Sequence, residues 1–120
     1  MTQSFHDLTV WQRAMEMTVA INTATQSFPR SEVFGLSSQL RRAAISVASN
    51  IAEGRGRLSQ GEFRQFLGMA QGSNCEVQTQ LMVARSLTMG SVESLAEAER
   101  LSIEVARMLS ALIATVQPKS

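Results

Sequence analysis

Residues 43–63 read A-A-I-S-V-A-S-N-I-A-E-G-R-G-R-L-S-Q-G-E-F, a run that passes from apolar to glycine-rich to polar. The apolar half has helical spacing, and Gly54 is well placed to end that helix in a left-handed turn. Ser59 and Glu62 then form S-x-x-E directly before Phe63, which is the pattern of a capping box at a helix N-terminus. The run therefore predicts two consecutive helices with a short connection between them.

The glycines of this run do not match a nucleotide-binding loop. A phosphate-binding loop follows a strand and ends in glycine, lysine and serine or threonine, and R-G-R-L-S-Q-G does neither. A dinucleotide-binding fingerprint needs a different spacing, whereas Gly54, Gly56 and Gly61 lie between two predicted helices. We expect these glycines to let the chain turn.

The sequence before and after residues 43–63 predicts where these two helices begin and end. The second helix, which holds the apolar run, is predicted to follow Gly35, with Ser37 as its candidate cap, and to run to about Glu53. The third is predicted to begin at Ser59 and to stop at Gly90.

The first and last helices have their own boundary signals. The first is predicted from Thr9, which has capping-box spacing with Gln12, to about Gln26, before Phe28-Pro29. The fourth begins near Ser91 or near Ser94, the latter forming a second S-x-x-E with Glu97.

Apolar residues recur every three or four positions in all four segments, and we call each such row a seam. The seams are Val10, Ala14, Met17, Ile21, Ala24 and Phe28; Leu36, Leu40, Ala44, Val47 and Ile51; Phe63, Leu67, Ala70, Val77, Leu81 and Ala84; and Leu95, Ala98, Val105, Leu109, Leu112 and Val116. Short connections favour antiparallel neighbours, so the fold class is predicted as all-α, an up-down-up-down four-helix bundle. One domain over residues 1–120 is expected.

Composition excludes several classes of binding site and activity. The net charge is only +1, which gives no global attraction to nucleic acid. Cys75 is the only cysteine and His6 the only histidine, so a cysteine-based metal site and Glu-x-x-His metal pairs are both excluded. We expect no cofactor, no metal and no enzymatic activity, with Cys75 as a small core or interface residue and Trp11 as a packing anchor. No signal peptide or membrane span is visible, so a cytoplasmic protein is expected.

Two polar stripes accompany the seams of the second and third helices. Asn50 and Glu53 follow Arg42 and Ser46 at helical spacing, and Ser73, Glu76 and Gln80 form a similar row on the next helix. Asn50, Glu53, Ser73 and Glu76 are therefore predicted as a polar network. They either satisfy one another structurally, fixing register, or contact a ligand or partner.

Four stretches of the sequence resemble those of a known protein family: L-T-V-W-Q-R-A (8–14), Q-L-R-R-A (39–43), S-N-I-A-E-G (49–54) and G-S-N-C-E (72–76). They resemble the bacterial four-helix-bundle proteins encoded in intervening sequences of large-subunit ribosomal RNA genes, a family also described as ribosomal-protein-like. This family is related to the accessory protein of diversity-generating retroelements, which binds nucleic acid and the reverse transcriptase. The resemblance implies a ring-like homopentamer. It covers the first three helices strongly and the fourth only by pattern.

Five arginines are the candidate nucleic-acid-binding residues: Arg41, Arg42, Arg55, Arg57 and Arg64. They lie between Ser37 and Arg64, where only two glutamates oppose them. We expect a non-enzymatic homo-oligomeric accessory protein whose partners are itself and structured RNA or a nucleoprotein. The alternative is a protein-interaction scaffold that binds no nucleic acid, in which the same arginines pair with fourth-helix glutamates of a neighbouring subunit.

Apolar residues outside the seams also favour assembly. A monomeric bundle would expose much of Val19, Phe66, Ile103 and Ile113, and large exposed apolar patches usually mark interfaces.

Overall fold

The computed structural model describes residues 4–32 and 35–116, and the regular structure within them is entirely helical. The four long helices are α1 (Thr9–Gln26), α2 (Leu36–Arg55), α3 (Gln60–Ser86) and α4 (Val92–Thr115). Two short 3₁₀ turns, Phe5–Asp7 and Arg30–Glu32, precede α1 and α2. The prediction of an all-α fold with four helices is confirmed.

The helices form an elongated bundle of 47 × 23 × 20 Å. Each helix packs against the next along the chain, and α1 packs against α4 to close the bundle. Between α2 and α3, Gln39 contacts Gln80 and Ser46 contacts Ser73, so residue numbers rise along one helix as they fall along the other. Such pairs are those of antiparallel neighbours.

The core consists of the predicted seams. Every seam residue is buried except Leu36 and Leu112, which are partly buried against it. Burial of apolar area at ~25 cal/mol per Å² is the main force that brings these four stripes together.

Two of the predicted caps are present. The Ser59 hydroxyl accepts a hydrogen bond from the Glu62 N–H at 3.1 Å, as the S-x-x-E pattern predicts. The Ser91 hydroxyl accepts from the Ser94 N–H at 3.0 Å, so α4 begins after Ser91 and not after Ser94.

Two other caps were predicted wrongly. Thr9 is the first helical residue of α1, preceded by Leu8, and no side chain caps that end. Ser37 is buried inside α2, because it occupies a seam position three residues before Leu40. The Glu32 carboxylate accepts from the Leu36 N–H at 3.1 Å instead, which places a negative charge at the start of α2.

The left-handed turn predicted at Gly54 is also wrong. Gly54 is a buried helical residue, and α2 continues to Arg55 before Gly56 ends it with φ −81°. A Cβ at Gly54 would lie 2.6 Å from the Cβ of Phe66, so the glycine is there to let α2 and α3 approach closely. Positive φ occurs instead after α3, which ends at Ser86, at Thr88 (57°) and Gly90 (72°).

Candidate nucleic-acid interface and polar groove

The basic end of the bundle lies where α2 meets α3. Gly54 lets α2 and α3 approach closely, and the short connection between them brings the arginines at the end of α2 and just after it over the first turns of α3. The Arg55 guanidinium lies 5.5 Å from the ring centroid of Phe63, and that of Arg57 lies 4.8 Å from the ring of Phe66. Stacking on an aromatic face restricts the orientations that a guanidinium adopts.

Arg64 and Leu58 complete this end. Arg64 is exposed on the first turn of α3 and forms no ion pair or hydrogen bond within the described residues. Leu58 is 101% exposed in the connection. Glu62 offsets part of this positive charge, since its carboxylate lies 3.6 Å from Nε of Arg57. We call Arg55, Arg57 and Arg64 the arginine end.

Arg41 and Arg42 do not belong to the arginine end. They lie about 13 residues before Arg55 on α2, roughly 20 Å away along the axis. Arg41 faces α1, where its Nε donates to the Thr25 hydroxyl at 2.8 Å. Arg42 is exposed on the opposite side, towards α3. The five candidate arginines therefore lie in separate places.

A polar groove of about 440 Å³ runs between α2 and α3. Its lining residues are Gln39, Arg42, Ala43, Ser46, Ser73, Glu76 and Gln80. The two sequence-predicted stripes do meet here, because the hydroxyls of Ser46 and Ser73 are 2.9 Å apart.

The predicted polar network is only partly connected. Asn50 Nδ2 donates to the Ser46 carbonyl at 2.8 Å and to its hydroxyl at 3.0 Å. Glu53 and Glu76 are exposed, and neither carboxylate forms a hydrogen bond or ion pair within the described residues. The contacts of Asn50 and Ser73 thus have a structural character, whereas both carboxylates are open to solvent.

The polar pair at the centre of the core lies elsewhere, and sequence reasoning missed it. Asn74 Nδ2 donates to the Ser102 carbonyl at 2.9 Å, and the Ser102 hydroxyl donates to Asn74 Oδ1 at 2.8 Å. Both residues are essentially fully buried. A signal was present, because Asn74 and Ser102 fill the single gaps in the three-and-four spacing of the third and fourth seams.

Two further expectations concern single side chains. Cys75 is exposed, so the core placement expected for it is wrong, whereas its interface role stays a prediction. Trp11 packs against the core, and its ring also meets the edges of Phe5 and His6 at centroid distances of 5.2 and 5.3 Å. The packing role predicted for Trp11 is confirmed.

Most glutamates of α4 already have partners within the chain. Arg85 pairs with Glu99, Arg13 with Glu104 at 3.1 Å, and Arg100 with Glu97 at 2.9 Å. Hydrogen bonds from Arg100 hold the pKa of Glu97 below its ordinary value, which outweighs the opposite effect of desolvation. Glu93 is the exception among the described residues.

Comparison with known families bears on this arrangement. A family model described as 23S rRNA-intervening sequence protein matches residues 6–111. The chain belongs to the 23S rRNA-intervening sequence protein family. The family resemblance of the sequence is thereby confirmed.

A solved structure shares the fold of this intervening-sequence protein. It is the crystal structure of a protein of unknown function from the S23 ribosomal protein family of Bacteroides thetaiotaomicron VPI-5482. The TM-score is 0.80 at 23% identity, over 88% of this chain and 96% of that one. Comparison with curated proteins gives no match.

Within residues 4–32 and 35–116, no group of three or more histidine, cysteine, aspartate or glutamate side chains could hold a metal ion. None of the helices in that part of the chain combines the length and hydropathy that crossing a bilayer requires.

Proposed function

We propose that this intervening-sequence protein is a cytoplasmic, non-enzymatic, homo-oligomeric accessory factor that associates with structured RNA or a nucleoprotein. Family membership supports a setting close to ribosomal RNA. The arginine end supports the association with RNA phosphate groups.

The stacked pair Arg55 and Arg57 is the observation that carries the proposal. A flexible arginine loses side-chain entropy when it binds phosphate, and a guanidinium already held over a ring loses less. Phe63 and Phe66 hold the two groups at the same end of the bundle, with Arg64 one turn into α3. The forked donors of arginine match phosphate oxygens.

Assembly would offset the low charge of one chain. The resemblance implies a pentamer, and a ring would repeat the arginine end around its axis, so that weak contacts add through multivalency. Exposed apolar side chains support assembly: Val19 is 64% and Ile103 47% exposed. Phe66 and Ile113 are partly buried, so the exposure predicted for these two side chains is wrong.

The scaffold alternative needs acidic partners for the arginines. Glu97, Glu99 and Glu104 on α4 are engaged within the chain, and Glu93 is the acidic residue of α4 left without a partner in the described structure. Salt bridges from a neighbour's arginines would compete with these pairs. This favours phosphate as the partner of the arginine end.

Filter binding with a structured ribosomal RNA fragment tests the proposal. Replacing both Arg55 and Arg57 with alanine should weaken retention for all RNA sequences alike, because phosphate contacts position without specifying. The control replaces Arg30, exposed in the 3₁₀ turn before α2, and should bind as wild type does. If wild type retains no RNA at low salt, or if the double variant binds identically, the scaffold alternative replaces the RNA proposal.

A further inference from the structure

The polar groove between α2 and α3 has three levels at which side chains of the two helices face each other, and we call each level a rung. Gln39 and Gln80 form one, with Gln80 Nε2 donating to Gln39 Oε1 at 3.4 Å. Ser46 and Ser73 form another at 2.9 Å. Arg42 and Glu76 lie between these rungs on their respective helices, so the register places them at the same level.

No hydrogen bond or ion pair joins Arg42 and Glu76 across the middle rung, and we call it the open rung. Opposite charges at one level of an antiparallel helix pair are within reach of a salt bridge, and four other arginines of this chain do pair with glutamates. Arg42 and Glu76 line the same groove, yet neither forms an ion pair or hydrogen bond within the described residues.

One further polar atom next to the open rung lacks a partner among the described residues. Gln80 Oε1 is buried and accepts no hydrogen bond from the described residues. The Ser46 and Ser73 hydroxyls lie 2.9 Å apart and satisfy each other, and Ser46 also accepts from Asn50 Nδ2. A ligand for this groove therefore needs acceptors for Arg42 and donors for Glu76 and Gln80 Oε1.

Guanine meets this requirement most fully among the four RNA bases. Its O6 and N7 accept both branches of an arginine fork, and its N1–H and N2–H₂ donate to both oxygens of a carboxylate. Adenine and cytosine have an amino group without a ring N–H beside it, and uracil has a ring N–H without an amino group. Unpaired bases in loops and bulges expose these edges to proteins.

We propose that the Arg42–Glu76 rung binds a guanine base, with Arg42 on O6 and N7 and Glu76 on N1–H and N2–H₂. The role of the site in reading an unpaired guanine of RNA rests on the proposed function. The binding of the base itself does not, because a free guanine nucleotide presents the same edges.

Saturation-transfer difference NMR of the full chain with GMP, AMP, CMP and UMP tests the proposal. GMP should bind more tightly than the other three by roughly 5-fold or more, the discrimination expected of good bidentate base contacts. Glu76→Gln should remove that preference, because an amide oxygen can replace only one carboxylate oxygen. Glu93→Gln, an exposed change on α4, is the matched control and should keep it.

A second arm separates the groove from the arginine end. RNA retention by Glu76→Gln should keep the salt dependence of wild type, and the Arg55 and Arg57 double alanine variant should keep the preference for GMP. A GMP preference without RNA retention supports the groove as a site for free guanine nucleotides and removes the RNA role alone. Equal binding of the four nucleotides, no binding of any, or an unchanged preference in Glu76→Gln overturns the proposal.

Discussion

Asn74 and Ser102 are joined by two hydrogen bonds inside an otherwise apolar core, where an unpaired polar group is most costly. Each satisfies the other, one through its amide and one through its hydroxyl and carbonyl. The pair also fixes the register of α3 against α4, because sliding either helix by one turn would separate the partners. Buried polar pairs can specify one packing arrangement in this way.

Asn74→Ala should lower the free energy of unfolding by about 1–3 kcal/mol, because it leaves the buried Ser102 hydroxyl without its acceptor. Adding Ser102→Ala should cost less than its effect in the wild-type background, since the partner is already lost. Urea unfolding at one fixed protomer concentration measures the cycle. Strictly additive losses would show that the two side chains act independently. Glu53→Ala, at an exposed position, is the control and should leave the midpoint nearly unchanged.

At the scale of the helices, α2 and α3 owe their close approach to Gly54. The backbone of α2 passes so near to Phe63 and Phe66 that a Cβ at this position would meet both residues, at 3.3 Å from the Phe63 ring and 2.6 Å from Phe66 Cβ. The guanidiniums of Arg55 and Arg57 stack on the rings of the same two phenylalanines. One glycine thus couples the packing of the helix pair to the geometry of the arginine end.

Gly54→Ala should destabilise the fold by about 1–3 kcal/mol through overpacking. It should also weaken RNA retention, because separating the helices displaces the rings beneath the guanidiniums. Gly56→Ala is the matched control: its new Cβ would lie no closer than 3.5 Å to its neighbours, at an ordinary negative φ. Thermal unfolding and filter binding of both variants measure the two effects. An equally stable Gly54→Ala protein would contradict the close-approach account.

The sequence predicted the elements well because the seam pattern has no competitor along this chain. Ser59 was readable as a cap because it is the one candidate before its helix, whereas Ser91 was one of two candidates, together with Ser94. Ser37, Gly54 and Asn74 were not readable in the same way, because their residue types favour caps, turns and surfaces. Their actual roles depend on which helix packs opposite, which is tertiary information. The open Arg42–Glu76 rung was invisible for the same reason, since register between helices decides it.

At the scale of the whole molecule, the outer face of α3 is the surface least explained by the single chain. Gly68, Gly72, Thr79 and Val83 share this face at helical spacing, and Cβ atoms at the two glycines would meet nothing within 4 Å. Met82 beside them is 63% exposed. Exposed glycines in the middle of a helix cost about 0.5–1 kcal/mol each relative to alanine, so a lone bundle gains nothing from them.

We expect this face to contact a second copy of the chain. Val83→Glu should shift the mass measured by light scattering towards that of the 13.1 kDa monomer, because it buries a charge in an apolar contact. Ile45→Glu, a similar change at an exposed position on α2, should leave the mass unchanged. A wild-type monomer across micromolar concentrations would contradict the assembly, and an unaltered mass for Val83→Glu would place the contact on another face.

The dependence of RNA affinity on salt concentration tests the central claim most directly. Each phosphate neutralised contributes a slope of about −0.7 to −0.9 to the logarithm of affinity against the logarithm of salt concentration. The three arginines of one arginine end would therefore give a slope of roughly −2 to −3, and an oligomer that engages several ends at once should give a steeper one. A slope beyond about −3 for wild type, reduced by alanine at Arg55 and Arg57, is the predicted result. A flat dependence, or no RNA binding at low salt, would contradict the account.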